Sequence, residues 1–134
     1  MERINLGRFE PYLLSILRMA VGFTFACHGF QKLFGAFGGL GGRGGTAHLA
    51  SLFGVAGVLE TVGGVLIIAG LFTRCVAFVL SGEMAFAYFK QHAPRGPWPL
   101  TNGGELEVLY CFIFLLLCAV GGGQWSLDRV IRKR

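Results

Sequence analysis

Three charged side chains, Arg18, Glu60 and Glu83, stand inside long apolar stretches of the chain. A charge at the centre of a bilayer costs at least about 2.5–3.5 kcal/mol, so such residues face the protein interior and find partners. At 1.5 Å per helical residue we expect them at depths of ~12, ~17 and ~15 Å from one membrane face. At those depths they can meet in one layer, with Arg18 paired to one of the acids. The layer is either a proton-sharing cluster or a purely structural ion pair.

A second group of polar residues is expected at the opposite rim of the same helices. Histidine exchanges protons near neutral pH, and amides, lysine and carboxylates form hydrogen bonds, so this rim is suited to hold the polar head of a ligand or to pass protons. Part of the group has a simpler explanation, because an acidic residue is favoured at a helix N-terminus and lysine can snorkel to the interface. The candidates for this rim are His28, Gln31, Lys32, Tyr88, His92, Asn102, Glu105, Glu107 and Tyr110.

No metal site is predicted, and no catalytic residue can be assigned. Two histidines on separate helices could ligate haem or zinc, but nothing in their spacing requires it. The chain contains no Walker A loop, no GxGxxG after a strand and no GxSxG. The cysteines, which form no CxxC pair, are read as small buried apolar residues, with a redox role as the alternative; they are Cys27, Cys75, Cys111 and Cys118.

The elements that must position these residues are membrane helices. Of the 134 residues 54% are hydrophobic and only 14% are charged, and the mean hydropathy is +0.62. A soluble domain carries about 25% charged residues, and a stretch of about 20 apolar residues crosses a bilayer. We predict an all-α fold, a transmembrane four-helix bundle that occupies residues 1–134 as one membrane domain. The predicted helices are 10–33, 48–71, 74–92 and 104–121.

Glycine spacing on the second predicted helix supports an inward position for Glu60. Glycines recur every three or four residues around it, at positions 54, 57, 63 and 64. Small residues allow helices in lipid to approach closely, so this face is expected to be buried against another helix.

The basic residues predict the topology. With four spans, one side of the membrane receives Arg3, Arg8, Arg74, Arg129, Arg132, Lys133 and Arg134, and the other receives Lys32, Arg43, Lys90 and Arg95. The positive-inside rule then places the N- and C-termini in the cytoplasm. The basic tail is expected to contact anionic lipid headgroups. This distribution argues against nucleic acid as a partner, despite the net charge of +5.

Several sequence segments in order resemble the DoxX family, small bacterial four-helix membrane proteins. The similarity extends from about residue 18 to residue 128 and leaves the polar residues intact. Two loops are atypical: in "PRGPWP" the family commonly has a phenylalanine before the Trp, and in "GGGQWSLD" it commonly has a proline among the glycines. The segments are "HGFQKLFG", "LETVGG", "GLFTR", "MAFAYFKQHAPRGPWPLTNGGE", "LYCF" and "GGGQWSLD". The positions that match the family's motifs are Arg18, His28, Gln31, Lys32, Glu60, His92, Asn102 and Glu105.

The resemblance implies a bacterial plasma-membrane protein linked to quinone-dependent redox chemistry or to oxidative and thiol stress. On this basis we expect a redox-linked membrane protein that binds a quinone-like lipophilic molecule or serves as the membrane subunit of an oxidoreductase complex. The rim would hold the head of the ligand, and Glu60 and Glu83 would handle protons. No cofactor is firmly implied, and electrons would come from a redox partner protein. The alternatives are a non-enzymatic scaffold or chaperone-like partner in the bilayer, and a small-solute transporter that acts as a homo-oligomer.

Overall fold

The structure, a computed structural model, describes residues 5–133, and within that range it contains helices and no strand, which confirms the all-α prediction. The helices are α1 (Glu10–Phe34), α2 (Leu52–Ala69), α3 (Thr73–Ala87), α4 (Pro99–Asn102), α5 (Glu105–Val120) and α6 (Leu127–Arg132). A π-helical turn, Tyr88–His92, continues α3, and 3-10 turns lie at Leu6–Phe9, Ala36–Gly38 and Ala93–Arg95.

The start of α2 differs from the predicted residue 48. The helix begins at Leu52 because Ser51 is its N-cap, in extended backbone conformation, and the Ser51 hydroxyl accepts a hydrogen bond from the Gly54 amide at 3.1 Å. The same hydroxyl donates to the His48 carbonyl at 2.5 Å, which holds residues 48–51 in a turn. At the other end Gly70 adopts a left-handed φ of 68° and ends the helix.

The long helices form two antiparallel pairs, α1 with α2 and α3 with α5, while α2 and α3 touch less. Glycine allows the first pair to approach backbone to backbone. A Cβ atom on Gly22 would lie 2.9 Å from the Gly64 carbonyl oxygen, and one on Gly29 would lie 2.5 Å from the Thr61 amide nitrogen. The glycine face of α2 is therefore buried together with Glu60, as its spacing predicts.

The two pairs join through a core of apolar side chains. Phe25 of α1 meets Phe114 of α5 with ring centroids 4.9 Å apart, in an edge-to-face arrangement that aromatic pairs prefer. Ile67, Leu80 and Leu117 pack around them and are almost completely buried.

The outer surfaces of α1, α2, α3 and α5 carry exposed large apolar side chains, such as Leu13, Val62, Phe78 and Phe112. An exposed apolar surface of this extent is typical of contact with lipid rather than water. Two of the helical stretches in the described part of the chain are long and apolar enough to cross a membrane, Leu6–Phe34 with a mean hydropathy of 1.5 and Leu52–Ala69 with 2.1.

We call the two ends of the molecule the terminal end and the loop end. At the terminal end the N- and C-terminal segments meet, since the Gln124 amide donates to the Pro11 carbonyl at 3.0 Å. The loop end carries the connections 35–51 and 93–104. Arg3 and Arg134, which support the topology prediction, lie outside the described residues.

Candidate functional site

Within residues 5–133 Arg18 pairs with no acid, so the predicted pairing of Arg18 with Glu60 or Glu83 is wrong, although the two glutamates do lie together. The Arg18 side chain is fully buried and points toward the terminal end, where it donates to backbone carbonyls. Nε donates to Gly122 at 2.8 Å, and Nη1 donates to both Ile67 and Ile68 at 2.5 Å. Nη2 donates to Trp125 at 2.5 Å.

The reason for this arrangement is the end of α2. The last carbonyls of a helix have no partner within the helix and carry partial negative charge, so a buried guanidinium satisfies them and is stabilised by them. The sequence did not reveal this role, because the acceptors are main-chain atoms from two distant segments. Arg74 acts similarly at the end of α5, where Nη1 donates to the Cys118 carbonyl at 3.1 Å and also to Ala119.

Asp128, also at the terminal end, caps the start of α3. Its two carboxylate oxygens accept from the Phe72 amide at 2.7 Å and the Thr73 amide at 2.9 Å. Phe72 has a φ of 51°, a conformation that costs energy for a non-glycine residue and that these bonds stabilise. Burial raises the pKa of Asp128, but the hydrogen bonds from Thr73 and Phe72 and the nearby Arg132 outweigh it, and the pKa is lower than usual.

Most of the other predicted polar residues meet in a cavity of about 560 Å³ toward the loop end, which we call the carboxylate cavity. It lies where the two helix pairs face each other, and each long helix contributes at least one polar side chain. These are His28 and Lys32 from α1, Glu60 from α2, Glu83 from α3, Gln91 and His92 from the π-helical turn, and Glu107 from α5.

Lys32 and Glu60 form the ion pair of this cavity. Lys32 Nζ lies 2.5 Å from Glu60 Oε1, and the side chain of Glu60 is only 3% exposed. Lys32 comes from the last turn of α1 and is four residues after His28, so both project from one helix face. The lysine, rather than Arg18, is therefore the cation that compensates Glu60.

His92 is held between the α4 segment and Glu107. Its Nδ1 lies 3.1 Å from the Asn102 carbonyl oxygen, and its Nε2 lies 3.2 Å from Glu107 Oε1. A carbonyl only accepts, so Nδ1 donates to Asn102, and Nε2 faces the carboxylate of Glu107.

Asn102 positions His92 without lining the cavity itself. Its buried amide donates to the Tyr88 hydroxyl at 3.1 Å and to the Gly96 carbonyl at 3.0 Å, while its oxygen accepts from the Gly104 amide at 2.9 Å. These bonds fix the loop against the π-helical turn. Turns of that kind are frequent at functional sites.

Several carboxylate oxygens in the cavity have no hydrogen-bond partner within residues 5–133. They are Glu60 Oε2, both oxygens of Glu83 and Glu107 Oε2, and all are buried. A buried acceptor that forms no hydrogen bond costs about 1–3 kcal/mol, more when it is charged. The cavity therefore offers a surplus of acceptors to a proton or to a ligand that donates.

The cavity opens sideways between α2 and α3. Its rim there is apolar and exposed, with Phe53 and Val55 on one helix and Val79 and Phe86 on the other. Gly82 lies at this opening, and a Cβ atom placed on it would meet nothing within 4 Å. An amphiphile can reach the polar interior from the surrounding apolar phase by this route.

The structure brings together five of the predicted site residues and separates four. His28, Lys32, Glu60, Glu83 and His92 line the cavity. Arg18 lies at the terminal end, and Asn102 contacts His92 without lining the cavity. Gln31 is half-buried on α1 outside the cavity lining, and Glu105 is exposed.

Of the two glutamates expected at the rim, Glu107 lines the cavity and Glu105 does not, and Gln91 rather than Gln31 is the glutamine of the lining. Glu107 shares a face of α5 with the buried Tyr110, Phe114 and Leu117, at offsets of three, seven and ten residues. Glu105 is two residues away and points to the other side. That periodicity was the signal that could have selected Glu107.

The four cysteines are free, and one differs from its predicted environment. Cys27, Cys111 and Cys118 are partly buried, but Cys75 is exposed on α3. It lines a second, almost wholly apolar groove of about 310 Å³ between α2 and α3.

An all-helical chain with apolar outer faces and a polar cavity between its helices defines a membrane protein. The chain belongs to the DoxX family, whose model matches residues 13–93. It is 43% identical to an uncharacterized protein of Haemophilus influenzae over 133 residues, 97% of this chain and 98% of the relative. It is 34% identical to an uncharacterized membrane protein of Mycobacterium tuberculosis over 139 residues, 92% of this chain and 84% of the relative. No solved structure matches it significantly.

Proposed function

We propose that this protein is a multi-pass plasma-membrane protein that binds the reduced, quinol form of a lipophilic quinone in the carboxylate cavity. It would serve as the membrane subunit of an oxidoreductase assembly. The observation that carries the proposal is the surplus of buried carboxylate oxygens in a cavity that opens between two apolar helix faces.

Four spans are the arrangement that the helix lengths favour. The continuous helical segment from Thr73 to His92 has a length of about 30 Å, and α5 has a length of about 24 Å, close to the thickness of a hydrocarbon core. Even numbers of spans leave both termini on one side, and the basic residues of the C-terminal segment favour the cytoplasm for that side.

The chemistry of the cavity favours a ligand that donates hydrogen bonds. A quinol carries two hydroxyl donors, whereas the carbonyls of a quinone only accept. Glu83, which forms no hydrogen bond in the described part of the chain, and Glu60 Oε2 are suited to receive those hydroxyls. The ammonium group of Lys32 supplies a donor for the oxidised form.

Oxidation of a quinol to a quinone releases two electrons and two protons. The carboxylates of the cavity would accept the protons, and the electrons would pass to a redox centre on a partner protein. This division gives the chain the binding and proton-handling steps.

The proposal is tested by ligand retention and by titration. We would extract the gently purified protein, identify bound quinones by mass spectrometry, and measure the affinity for decylubiquinol and for decylubiquinone. Glu83→Gln should weaken quinol binding by about tenfold, the cost of one hydrogen bond, because the amide replaces one of the two carboxyl oxygens with a nitrogen that does not accept. Gly82→Phe should fill the opening and abolish binding of both forms.

Two matched variants serve as controls. Glu105→Gln changes an exposed carboxylate at the same end of the molecule, and Ala20→Phe adds the same ring to an exposed position on α1. Both should bind like the wild type. Equal quinol affinity in wild type, Glu83→Gln and Gly82→Phe would contradict the proposal and favour a scaffold role.

A second candidate is transport of a small organic cation, supported by the charges of the cavity. Three carboxylates, Glu60, Glu83 and Glu107, face one lysine, so a lipophilic cation would also be attracted. Uptake of tetraphenylphosphonium into proteoliposomes, lost in Glu83→Gln, would support this candidate over quinol binding.

A further inference from the structure

Another cavity, about 530 Å³ in volume, lies at the terminal end, whereas the carboxylate cavity lies toward the loop end. We call it the basic pocket. Arg74, Arg129, Arg132 and Lys133 line it, together with two acidic residues, Glu10 and Asp128.

The cations of the basic pocket are not neutralised by ion pairs. Within the described residues the salt bridges are Lys32–Glu60 and His92–Glu107, neither of which involves this pocket. Arg74 donates to main-chain carbonyls, and Asp128 uses both oxygens for the amides of Phe72 and Thr73. The pocket therefore keeps an excess of positive charge that is available to an anion.

An apolar groove of about 500 Å³ adjoins the basic pocket. The two share Glu10, Leu14 and Val120, and the groove is otherwise lined mainly by leucines of the 3-10 turn, α1 and α5. These are Leu6, Leu13, Leu17 and Leu116. Along α1 the groove extends for about 10 Å, from Glu10 to Leu17.

The short helix α6 has the composition of an interfacial segment. Val130 and Ile131 are exposed apolar residues, and they lie beside the basic residues Arg129 and Arg132. Such a combination buries its apolar side chains in the boundary of the bilayer and turns its charges to the headgroups. Trp125 lies near the start of this segment and is also exposed, as expected at an interface.

From the pocket, the groove and α6 together we infer that the terminal end contains a specific site for an anionic phospholipid. The phosphate and headgroup lie in the basic pocket against Arg129, Arg132 and Lys133, and one acyl chain lies in the leucine groove between α1 and α5. A soluble phosphate would use the pocket but not the groove. A zwitterionic lipid would bring an ammonium group into a pocket that already has excess positive charge.

The test is a lipid competition followed by native mass spectrometry of the full chain. Purified protein is mixed with equal amounts of phosphatidylglycerol and phosphatidylcholine of the same acyl chains, and the bound lipids are counted. The wild type should retain phosphatidylglycerol in preference. Arg132→Gln with Lys133→Gln should lower the preference about tenfold, since each cation near the surface attracts an anionic lipid.

The control is the double variant Arg43→Gln with Arg95→Gln, which removes two cations from the loop end and should leave the preference unchanged. Leu116→Trp, which fills the groove without changing the charge, should lower retention of phosphatidylglycerol. All of these positions are exposed, so the variants should melt like the wild type.

Three outcomes would overturn the inference. Equal retention of both lipids by the wild type would show that the pocket does not select charge. An equal loss in the loop-end control would show a general effect of net charge. Displacement of the lipid by excess inorganic phosphate, with no effect of Leu116→Trp, would assign the pocket to a soluble anion.

Discussion

The terminal end and the carboxylate cavity both bury charged side chains, but the side chains are fully hydrogen-bonded at the terminal end and only partly in the cavity. At the terminal end Arg18 has hydrogen bonds to four carbonyls, and Asp128 has an amide on each oxygen. In the cavity Glu83 has no partner in the described part of the chain, and Glu60 uses only one oxygen.

This difference distinguishes buried charges that stabilise the fold from buried charges that can bind a ligand. A buried charge whose bonding capacity is used by main-chain groups fixes helix ends and has little left to offer a ligand. A buried carboxylate without donors costs stability, and such costs are typical of sites that interact with something else. Substitutions at the two regions should therefore have opposite effects on stability and on binding.

The largest expected effect is at Arg18. Arg18→Met should lower the free energy of unfolding by about 3 kcal/mol or more, because the carbonyls at the end of α2 lose their donor at about 1–3 kcal/mol each. Reversible unfolding in mixed micelles measures the loss. Arg18→Lys should recover only part of it, since one ammonium cannot reach four separated oxygens. Wild-type stability in Arg18→Met would show that the guanidinium is not structural.

Asp128 should give the next largest effect. Asp128→Ala should destabilise the protein by about 1–2 kcal/mol, as the loss of a helix cap does. The pKa of Asp128 is below its ordinary value of 3.8, so its contribution is present above that pH and is lost as the pH falls below it. Melting curves of the wild type and of the variant should therefore converge at low pH. Parallel curves down to the lowest pH would exclude this origin.

A smaller effect of opposite sign is expected at Gly82. Gly82→Leu should raise the free energy of unfolding by about 1 kcal/mol, because glycine is a poor helix former and the new side chain enters open space. The same variant should lose ligand binding, since leucine occupies the opening of the cavity. A variant that is destabilised would show that the opening closes in the membrane.

The smallest effect on stability is expected at Glu83. Glu83→Gln removes no hydrogen bond, so the free energy of unfolding should change by less than about 0.5 kcal/mol or should rise. Glu60→Gln is the informative comparison, because it leaves Lys32 without its carboxylate and should destabilise the protein clearly. Equal losses in the two variants would mean that the cavity is as fully bonded as the terminal end.

Much of the secondary structure was predictable because it depends on local patterns. Apolar runs bounded by glycine and proline gave the long helices, and the three- and four-residue spacing of small residues gave the buried face of α2. The predicted start of that helix was four residues early, because apolar composition continued past the Ser51 cap.

The partners of the buried charges were not predictable in the same way. Depth along a helix indicated that Arg18 and Glu60 could meet, but the direction of a long side chain is decided by what packs beside it. Arg18 extends toward the terminal end, where the carbonyls of Gly122 and Trp125 accept its hydrogen bonds. Glu60 forms its ion pair with Lys32 instead. Composition alone gives no signal for a bond to the main chain.

The sequence by itself determined an apolar, helical membrane protein of the DoxX family with His28, Lys32, Glu60, Glu83 and His92 among its polar residues. These features follow from hydropathy, spacing and motif order, which are properties of the chain. The tertiary structure alone decided which of the two rim glutamates lines the cavity, Glu107 and not Glu105, and that Arg18 lies elsewhere. Those outcomes depend on the rotation of each helix about its axis and on carbonyls more than 40 residues away, and both are fixed only when the helices pack.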